Sequence, residues 1–285
     1  MKIVSFGPAR HEKPGVVHED RVIDLAAAEP GLPPTVGKIL EANALDKVRR
    51  VLDRAASLPG SCFQPLDAVR LGPPVTDPSK IVCLGLNYSD HAAEQGRQVP
   101  EWPLTFAKGP NVLAGNGDPI PYPAGVTQLD YEVELAVVVG RRASRVSLAE
   151  AAACVAGYGV FMDITARDIQ AREKQWFRAK SFDGFGPFGP CLTTSDEVPD
   201  PNALGISLDV NGERRQSSNT GLMTFKVFYL VHYLSQSMTL EPGDIIATGT
   251  PAGVGVYAKP PRFLEKGDVI DAEIESLGKL EATVA

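Results

Sequence analysis

Two acidic residues stand two positions apart in the segment DYEVELAVVV, which begins at Asp130 and runs into continuously apolar sequence. On a β-strand, Glu132 and Glu134 point to the same face, about 6.6 Å apart along the backbone. Two carboxylates beside a core are costly unless a cation lies between them, and without one the pKa of one carboxyl rises strongly. Oxygen ligands without His or Cys favour Mg²⁺, Mn²⁺ or Ca²⁺ over zinc. The alternative, an edge strand with its acidic face in solvent, is disfavoured by the apolar run from Leu135 to Val139.

A third carboxylate and a lysine follow further along the chain. Asp163 comes after an apolar run and begins a polar turn, where a ligand can face a cavity. Lys180 precedes the glycine-rich stretch GFGPFG at 184–189. That stretch formally satisfies the GxGxxG pattern, but Pro187 lies inside it and no helical pattern follows. The sequence therefore predicts a turn held by aromatic residues here, and no dinucleotide site.

His91 and Glu94 stand three positions apart in the segment NYSDHAAE, which has helical composition. On a helix they share a face and can hydrogen bond, an arrangement suited to a general-base pair acting on water. The same spacing is common on exposed helices, so a surface pair is the alternative interpretation. If the pair is functional, we expect the segment 88–103 to form a mobile lid, because water must enter the site and then be confined.

A strand-like run near the C-terminus enters the glycine-rich segment GTPAGVG, which begins at Gly249. The backbone N–H groups of this segment and the Thr250 hydroxyl could bind an acid oxygen of a ligand. An ordinary β-turn is the alternative interpretation, and the local sequence does not decide between the two.

The elements that position these residues are predicted to be mostly β-strands. The chain is also predicted to divide into two domains. The pattern is α+β and β-rich without regular βαβ alternation, which disfavours a doubly wound nucleotide fold. A Pro/Gly-rich stretch at 71–80 predicts a linker between a small N-terminal domain, 1–75, and a catalytic domain, 76–285. Strands are predicted at 1–6, 21–24, 81–86, 131–140, 158–164, 206–210, 244–248 and 269–274, and helices at 35–58, 87–95, 148–154 and 225–237.

Composition narrows the possible partners and compartments. The 285 residues are 44% hydrophobic and 22% charged, as in an average globular protein, and the formal net charge is −7. That charge argues against nucleic acid or an anionic membrane as a partner. No apolar run approaches the ~20 residues that span a bilayer, and the N-terminal sequence lacks a signal-peptide layout, so we expect a cytoplasmic protein. The four widely spaced cysteines predict free buried thiols.

Six motifs in order resemble the fumarylacetoacetate hydrolase family from about residue 79 onward. They are NYxDHxxE, a lysine before proline-glycine turns, DYEVEL, MDxTARDxQ, KSF and GDIIxTGTPxGVG. The resemblance implies a mixed β-sandwich roll with a small N-terminal α/β domain, a homodimer, and a divalent metal, Mg²⁺ or Mn²⁺ with Ca²⁺ as a further possibility.

The resemblance also implies a role for each matching residue. It identifies the carboxylates of DYEVEL and MDxTARDxQ, namely Glu132, Glu134 and Asp163, as metal ligands. His91 and Glu94 become the lid-borne pair that activates water, and Lys180 the active-site lysine. The positions at which the family contacts substrate are Lys108, Gln170, Gly249 and Thr250.

These residues together predict a metal-dependent hydrolase that cleaves a carbon–carbon bond of a β-diketo acid, such as an acylpyruvate. Two loops, 182–190 and 257–263, resemble the subgroup that hydrolyses 2,4-diketo-3-deoxy sugar acids. Decarboxylation of oxaloacetate or isomerisation of a related keto acid is the alternative within the family, because it forms the same enolate. A non-catalytic protein that binds a metal or a sugar acid is the alternative from another class.

Overall fold

The continuously apolar run from Leu135 to Val139 lies on a central strand of the main β-sheet, as expected for a strand buried on both faces. The computed structural model describes all 285 residues and confirms a strand-rich α+β fold. The strands are β1 Lys2–Phe6, β2 Lys13–His18, β3 Arg21–Asp24, β4 Phe63–Pro65, β5 Leu71–Gly72, β6 Ile81–Gly85, β7 Leu104–Lys108, β8 Leu113–Ala114, β9 Pro119–Ile120, β10 Leu129–Asp130, β11 Val133–Val139, β12 Val155–Met162, β13 Thr165–Ala166, β14 Gly186–Thr194, β15 Gly205–Val210, β16 Glu213–Asn219, β17 Ile245–Ala247, β18 Val269–Ile274 and β19 Gly278–Val284. The helices are α1 Leu25–Ala28, α2 Val36–Glu41, α3 Leu45–Asp53, α4 Ser89–Glu94, α5 Leu148–Ala151, α6 Arg167–Glu173, α7 Trp176–Lys180 and α8 Val227–Ser237.

Two sheets pack against each other around one core. The main sheet has the order β4-β3-β2-β1-β14-β12-β11-β17-β6-β7, and the second sheet has the order β16-β15-β18-β19-β9. The second sheet packs against β11, β12 and β14 of the first. Strand β11 is therefore flanked by β12 and β17 and covered by the second sheet, so a side chain on it is held rigidly.

The N-terminal strands join the same main sheet. Strand β1 pairs with β14 in the register Lys2–Thr193 and Ile3–Leu192, and its other partners are β2 and β5. The division into domains 1–75 and 76–285 stays a prediction. In the main sheet, hydrogen bonding is continuous between the two parts. A local pattern cannot reveal a pairing between strands so far apart in sequence.

The predicted helix over 35–58 is two helices in the structure. Thr35 caps α2, because its hydroxyl accepts a hydrogen bond from the Lys38 N–H at 3.1 Å. The chain then turns at Asn43, whose φ of +50° is left-handed, before α3 begins. Asn tolerates this conformation better than most residues, which explains the break that the apolar periodicity hid. The predicted long helix near the C-terminal third is confirmed as α8.

Two further expectations concern cysteines and membranes. All four cysteines are free and buried, which confirms the sequence prediction. None of the helices combines the length and the apolar character that crossing a membrane requires.

Candidate active site

The three predicted ligand carboxylates converge at one end of the β11–β12 pair. Glu132 directly precedes β11, Glu134 lies within it, and Asp163 directly follows β12. Antiparallel pairing brings the two strand ends together, and the Asp163 N–H donates to the Glu132 carbonyl at 2.9 Å. One oxygen of each side chain lies within 4.8 Å of the others, and all three residues are buried. The period-two spacing thus placed both glutamates correctly, although Glu132 itself is outside the strand.

Three cations compensate two of these carboxylates. The Lys180 Nζ lies 2.8 Å from Glu132 Oε2 and 2.6 Å from Asp163 Oδ2. The Lys108 Nζ lies 2.5 Å from Asp163 Oδ1, and the Arg167 guanidinium bonds the other Glu132 oxygen. Burial opposes the charge of Glu132, but the positive charges of Lys180 and Arg167 prevail and lower its pKa to about 2. Glu132 is therefore ionised at neutral pH.

Glu134 is the uncompensated member of the cluster. Its one hydrogen bond comes from the Gly249 N–H at 2.9 Å, and no cationic side chain contacts it. Burial, followed by the negative charges of Asp163 and Glu132, raises its pKa well above the ordinary value. A buried carboxyl that lacks a cationic partner beside the carboxyl groups of Glu132 and Asp163 fits a divalent cation held by oxygen donors. Glu132, Glu134 and Asp163 are the residues that would hold it.

The glycine-rich loop after β17 is shaped to reach Glu134. Gly249 has a φ of +92°, and a Cβ there would lie 2.9 Å from the Asn87 Cβ, so only glycine fits. Asn87 holds the loop by donating to the Thr248 carbonyl at 2.8 Å. Gln216 donates to the Thr250 Oγ1 at 2.8 Å. The Gly249 N–H is thus bonded to the carboxylate cluster, whereas Thr250 faces the cavity described below.

Helix α4 holds the His91 imidazole between two side chains of its own helix. The Glu94 Oε2 lies 3.0 Å from Nδ1, and the Gln95 Nε2 lies 2.8 Å from Nε2. The Glu94 Oε1 accepts a hydrogen bond from the Gly253 N–H at 2.9 Å, which ties the helix to the glycine-rich loop. A Gln95 amide that donates to Nε2 requires the proton on Nδ1, where it bonds Glu94. The unprotonated Nε2 of His91 therefore accepts the Gln95 amide N–H in this structure, and a ligand would have to displace Gln95 to reach it.

A polar cavity of about 320 Å³ joins the helix and the cluster. Of the predicted site residues, six line it: His91, Glu132, Glu134, Gln170, Lys180 and Thr250. The other four, Glu94, Lys108, Asp163 and Gly249, do not line it. Lys108 is 2% exposed and donates hydrogen bonds to the Asp163 carboxylate and the Ile164 carbonyl. It therefore contacts the carboxylate cluster from within the protein and does not face the cavity. Burial lowers the pKa of Lys108 despite the Asp163 charge.

Sequence analysis missed several residues of the cavity wall. Arg167 begins α6 and bonds Asp130, Glu132 and the Gln170 amide oxygen, which couples one ligand to a predicted substrate residue. Its signal was a basic residue four positions after Asp163, on the helix that follows the turn. The other missed residues of the wall carry no spacing signal and include Gln95, Arg97, Phe106, Gln128 and Trp176. Tyr257 also lines the wall and begins the loop 257–263 that resembles a subgroup of the family.

Comparison with known proteins identifies the family. The family model described as "Fumarylacetoacetate (FAA) hydrolase C-terminal" matches residues 80–285. Oxaloacetate tautomerase Fahd2a, mitochondrial, of Rattus norvegicus is 45% identical over 98% of this chain and 90% of its own length. Oxaloacetate tautomerase FAHD2A, mitochondrial, of Homo sapiens is 46% identical over 90% of this chain and 82% of its own length.

Solved structures agree with the sequence relatives. Fumarylacetoacetate hydrolase from Exiguobacterium antarcticum superimposes with a TM-score of 0.86 at 37% identity, covering 100% of this chain and 99% of its own. Maleylpyruvate hydrolase from Sphingobium sp. SYK-6 superimposes with a TM-score of 0.83 at 30% identity, with the same coverage of both chains. This chain belongs to the fumarylacetoacetate hydrolase family.

Proposed function

We propose that this chain interconverts the keto and enol forms of a small 2-oxo acid of the oxaloacetate type, with Mg²⁺ or Mn²⁺ bound at Glu132, Glu134 and Asp163. The observation that carries the proposal is the small polar cavity, which unites an undercompensated carboxylate cluster with one oriented imidazole. The names of the rat and human relatives support the same reaction. When bound, the metal would act as a Lewis acid for the carboxylate and 2-keto oxygens of the substrate.

His91 carries the proton in this reaction. Its Nε2 takes the proton from C3 of the keto form, and the electron pair left at C3 gives the enolate. The C2 oxygen of the enolate then takes a proton from water, and the imidazolium returns its proton to the solvent. In the reverse direction the enol releases its hydroxyl proton to water, and C3 takes a proton from Nε2 of the imidazolium. Glu94 supports both directions, because its carboxylate at 3.0 Å from Nδ1 stabilises the imidazolium that forms. Gln95 must release Nε2 for the transfer.

Lys180 stabilises the enolate by charge. Burial opposes its protonation, but the Asp163 and Glu132 carboxylates hold the pKa of the ammonium above its usual value. Lys180 therefore stays charged at neutral pH and gives up no proton. A fixed ammonium near the C2 oxygen lowers the energy of the enolate more than that of the neutral keto acid.

An apolar wall protects the enolate from water. The Phe106 and Trp176 rings meet edge to face with centroids 5.2 Å apart, and the Lys180 Nζ lies 5.0 Å from the Phe106 centroid. Leu84 and Leu86 extend this wall. Electrostatic contacts in such a setting are stronger than in bulk water, because the effective dielectric constant is lower.

Carbon–carbon bond hydrolysis is the second candidate, and the Glu94–His91 pair favours it. In that reaction the imidazole takes a proton from water, the oxygen adds to the distal carbonyl, and bond cleavage expels the enolate of pyruvate. The likeness to the maleylpyruvate hydrolase structure supports this candidate. Decarboxylation of oxaloacetate also yields the enolate but needs no base acting on water.

One substrate panel separates the candidates. Ketonisation of enol-oxaloacetate is followed by the loss of enol absorbance, and pyruvate release is measured from oxaloacetate and from 3-acylpyruvates, all with Mg²⁺. We expect ketonisation to exceed pyruvate release from every substrate. Pyruvate release from acylpyruvates without accelerated ketonisation would overturn the tautomerase proposal in favour of hydrolysis, and release from oxaloacetate alone would favour the decarboxylase.

The cellular setting is part of the proposal. We propose a homodimer located in the cytoplasm that acts on a small keto acid, although the names of the rat and human relatives carry the word mitochondrial. Size-exclusion chromatography with light scattering tests the dimer, because a monomeric mass of 30.4 kDa would contradict it.

A further inference from the structure

We infer that Arg97 binds a second acid group of the substrate, which makes this chain selective for dicarboxylic 2-oxo acids over monocarboxylic ones. This inference rests on the proposed function, because it names the substrate class of the same cavity. Arg97 lies on the cavity wall, three residues after α4 ends at Glu94. None of the six motifs of the sequence includes it.

The local backbone fixes the place of Arg97. After α4 the chain turns at Gly96, whose φ is +65°. The Gly96 N–H bonds the Ala93 carbonyl at 3.0 Å, and the Arg97 N–H bonds the Ala92 carbonyl at 2.9 Å. This pair of bonds is a Schellman turn, which ends a helix and sets the direction of the next residue. Arg97 is therefore presented to the cavity by the same short segment that carries His91.

Among the lysine and arginine side chains of the cavity wall, Arg97 is the one without an ion-pair partner. Lys180 is bonded to Glu132 and Asp163, whereas the Arg167 guanidinium is bonded to Glu132, Asp130 and Gln170. The Arg97 guanidinium makes no hydrogen bond or ion pair within the chain. An unpaired guanidinium on a cavity wall is suited to a planar carboxylate, which it can bind through two parallel N–H groups.

The two ends of the cavity then recognise different parts of one ligand. Glu132, Glu134 and Asp163 would hold the metal, which would supply a Lewis acid for the 2-oxo acid group that every such substrate carries. Arg97 recognises what distinguishes oxaloacetate from pyruvate, namely the carboxylate at the other end. Since the chain has a net charge of −7, a local positive group also offsets the repulsion that a dianionic substrate meets.

Binding of two probes tests this inference without turnover. We would measure the dissociation constants of 3,3-difluorooxaloacetate, which has no hydrogen at C3, and of pyruvate by calorimetry with Mg²⁺ present. Arg97→Gln should weaken binding of the dicarboxylate about 10- to 100-fold, as expected for one charge-assisted contact, and pyruvate binding less than about twofold. Arg97→Lys should recover part of the loss. Arg141→Gln, which removes an exposed arginine of a different cleft, should leave both constants unchanged.

The outcomes separate this inference from the proposed function. Equal binding of the dicarboxylate by wild-type protein and Arg97→Gln would overturn the inference, even if enol-oxaloacetate is ketonised. Equal weakening of both probes would also overturn it, because Arg97 would then shape the whole cavity. If wild-type protein prefers the dicarboxylate through Arg97 but does not accelerate ketonisation, the assignment of Arg97 stands and the tautomerase proposal fails.

Discussion

The carboxylate cluster and helix α4 face the same cavity but are built in opposite ways. Glu134 and Asp163 are at most 1% exposed and are held by strands in the middle of the main sheet. Helix α4 has six residues, fewer than an isolated helix needs to be stable, and side-chain contacts hold it in place. Two of these contacts are the hydrogen bonds of Glu94 to Gly253 and of Ser218 to Asp90, at 2.9 and 2.6 Å.

In the proposed function, this difference separates metal binding by the cluster from proton transfer by helix α4. A metal site needs ligands that do not move, because each misplaced oxygen lowers affinity, and central strands supply that rigidity. Proton transfer to a ligand that must enter and leave needs a group that can open, and a short helix with few supports supplies it. We therefore expect variants of the cluster to change metal binding and stability, and variants of α4 to change turnover alone.

The largest expected effect comes from Glu134→Gln. Loss of this ligand charge should abolish measurable Mg²⁺ binding by calorimetry and reduce ketonisation about 10³-fold or more, since the metal supplies several kcal/mol of charge stabilisation. Unchanged Mg²⁺ affinity in this variant would remove Glu134 from the metal site.

The same variant gives a pH test in EDTA. The pKa of Glu134 is raised by folding, so the metal-free native state retains a proton that the unfolded chain releases above about its ordinary value of 4.5. The free energy of unfolding of wild-type protein should therefore fall, relative to Glu134→Gln, as the pH rises from about 4.5 toward the raised pKa. Urea unfolding at pH 5 and pH 8 measures this difference, and a difference of the opposite sign would contradict the assigned shift.

The substitution His91→Asn should have the next largest effect on the rate of ketonisation. It removes the proposed proton carrier and should lower ketonisation about 10²- to 10⁴-fold, while the Mg²⁺ dissociation constant stays that of wild-type protein. His11→Asn, at an exposed histidine outside this cavity, is the control and should change neither quantity. Loss of metal binding in His91→Asn would contradict the separation of the two regions.

Buried and surface lysines should differ strongly in stability. Lys180→Met leaves Glu132 and Asp163 with less compensation and should lower the free energy of unfolding in EDTA by about 3–5 kcal/mol. Lys279→Met breaks ion pairs of 3.0 Å to Asp271 and Glu281 on the surface and should cost about 0–1 kcal/mol. Urea unfolding measures both changes. A similar decrease in the free energy of unfolding in the two variants would mean that the buried carboxylates do not depend on Lys180 for charge compensation.

The smallest expected effect is a change in mobility. Amide hydrogen exchange in residues 88–103 should be faster than in β11 without ligand, and should slow when Mg²⁺ and oxalate are added together. Exchange in β11 should not change, because the cluster is already rigid. Equal protection of residues 88–103 with and without these additions would contradict a moving lid.

The predictability of the two regions differs for a physical reason. Period-two spacing and an apolar run predict that Glu132 and Glu134 share one face of a buried strand, because these patterns are local. An i,i+3 spacing predicts that His91 and Glu94 can form a hydrogen bond on a helix, but it does not distinguish a site from an exposed surface pair. The fold class followed from the same patterns together with the motifs. Local patterns gave none of the pairing of β1 with β14 across the sheet.

Side-chain contacts that depend on tertiary packing could also not be predicted from the sequence. The motif placed Lys108 among substrate contacts, and its substrate contact stays a prediction, but its burial behind Asp163 depends on how β7 lies at the sheet edge. Arg167 bonds Asp130 and Glu132 because α6 starts where β10 and β11 meet, which no spacing rule encodes. The assignment of Arg97 depends on a cavity whose walls come from segments that are far apart in the sequence.

Deuterium incorporation at C3 of oxaloacetate, followed by NMR in D₂O, tests the central claim most directly. The claim is that a fixed carboxylate cluster binds the keto acid through its metal and that His91 exchanges the C3 proton. Wild-type protein with Mg²⁺ should accelerate incorporation above the uncatalysed rate, whereas His91→Asn with the same Mg²⁺ occupancy should not. No acceleration by wild-type protein, or equal acceleration by His91→Asn, would contradict the account.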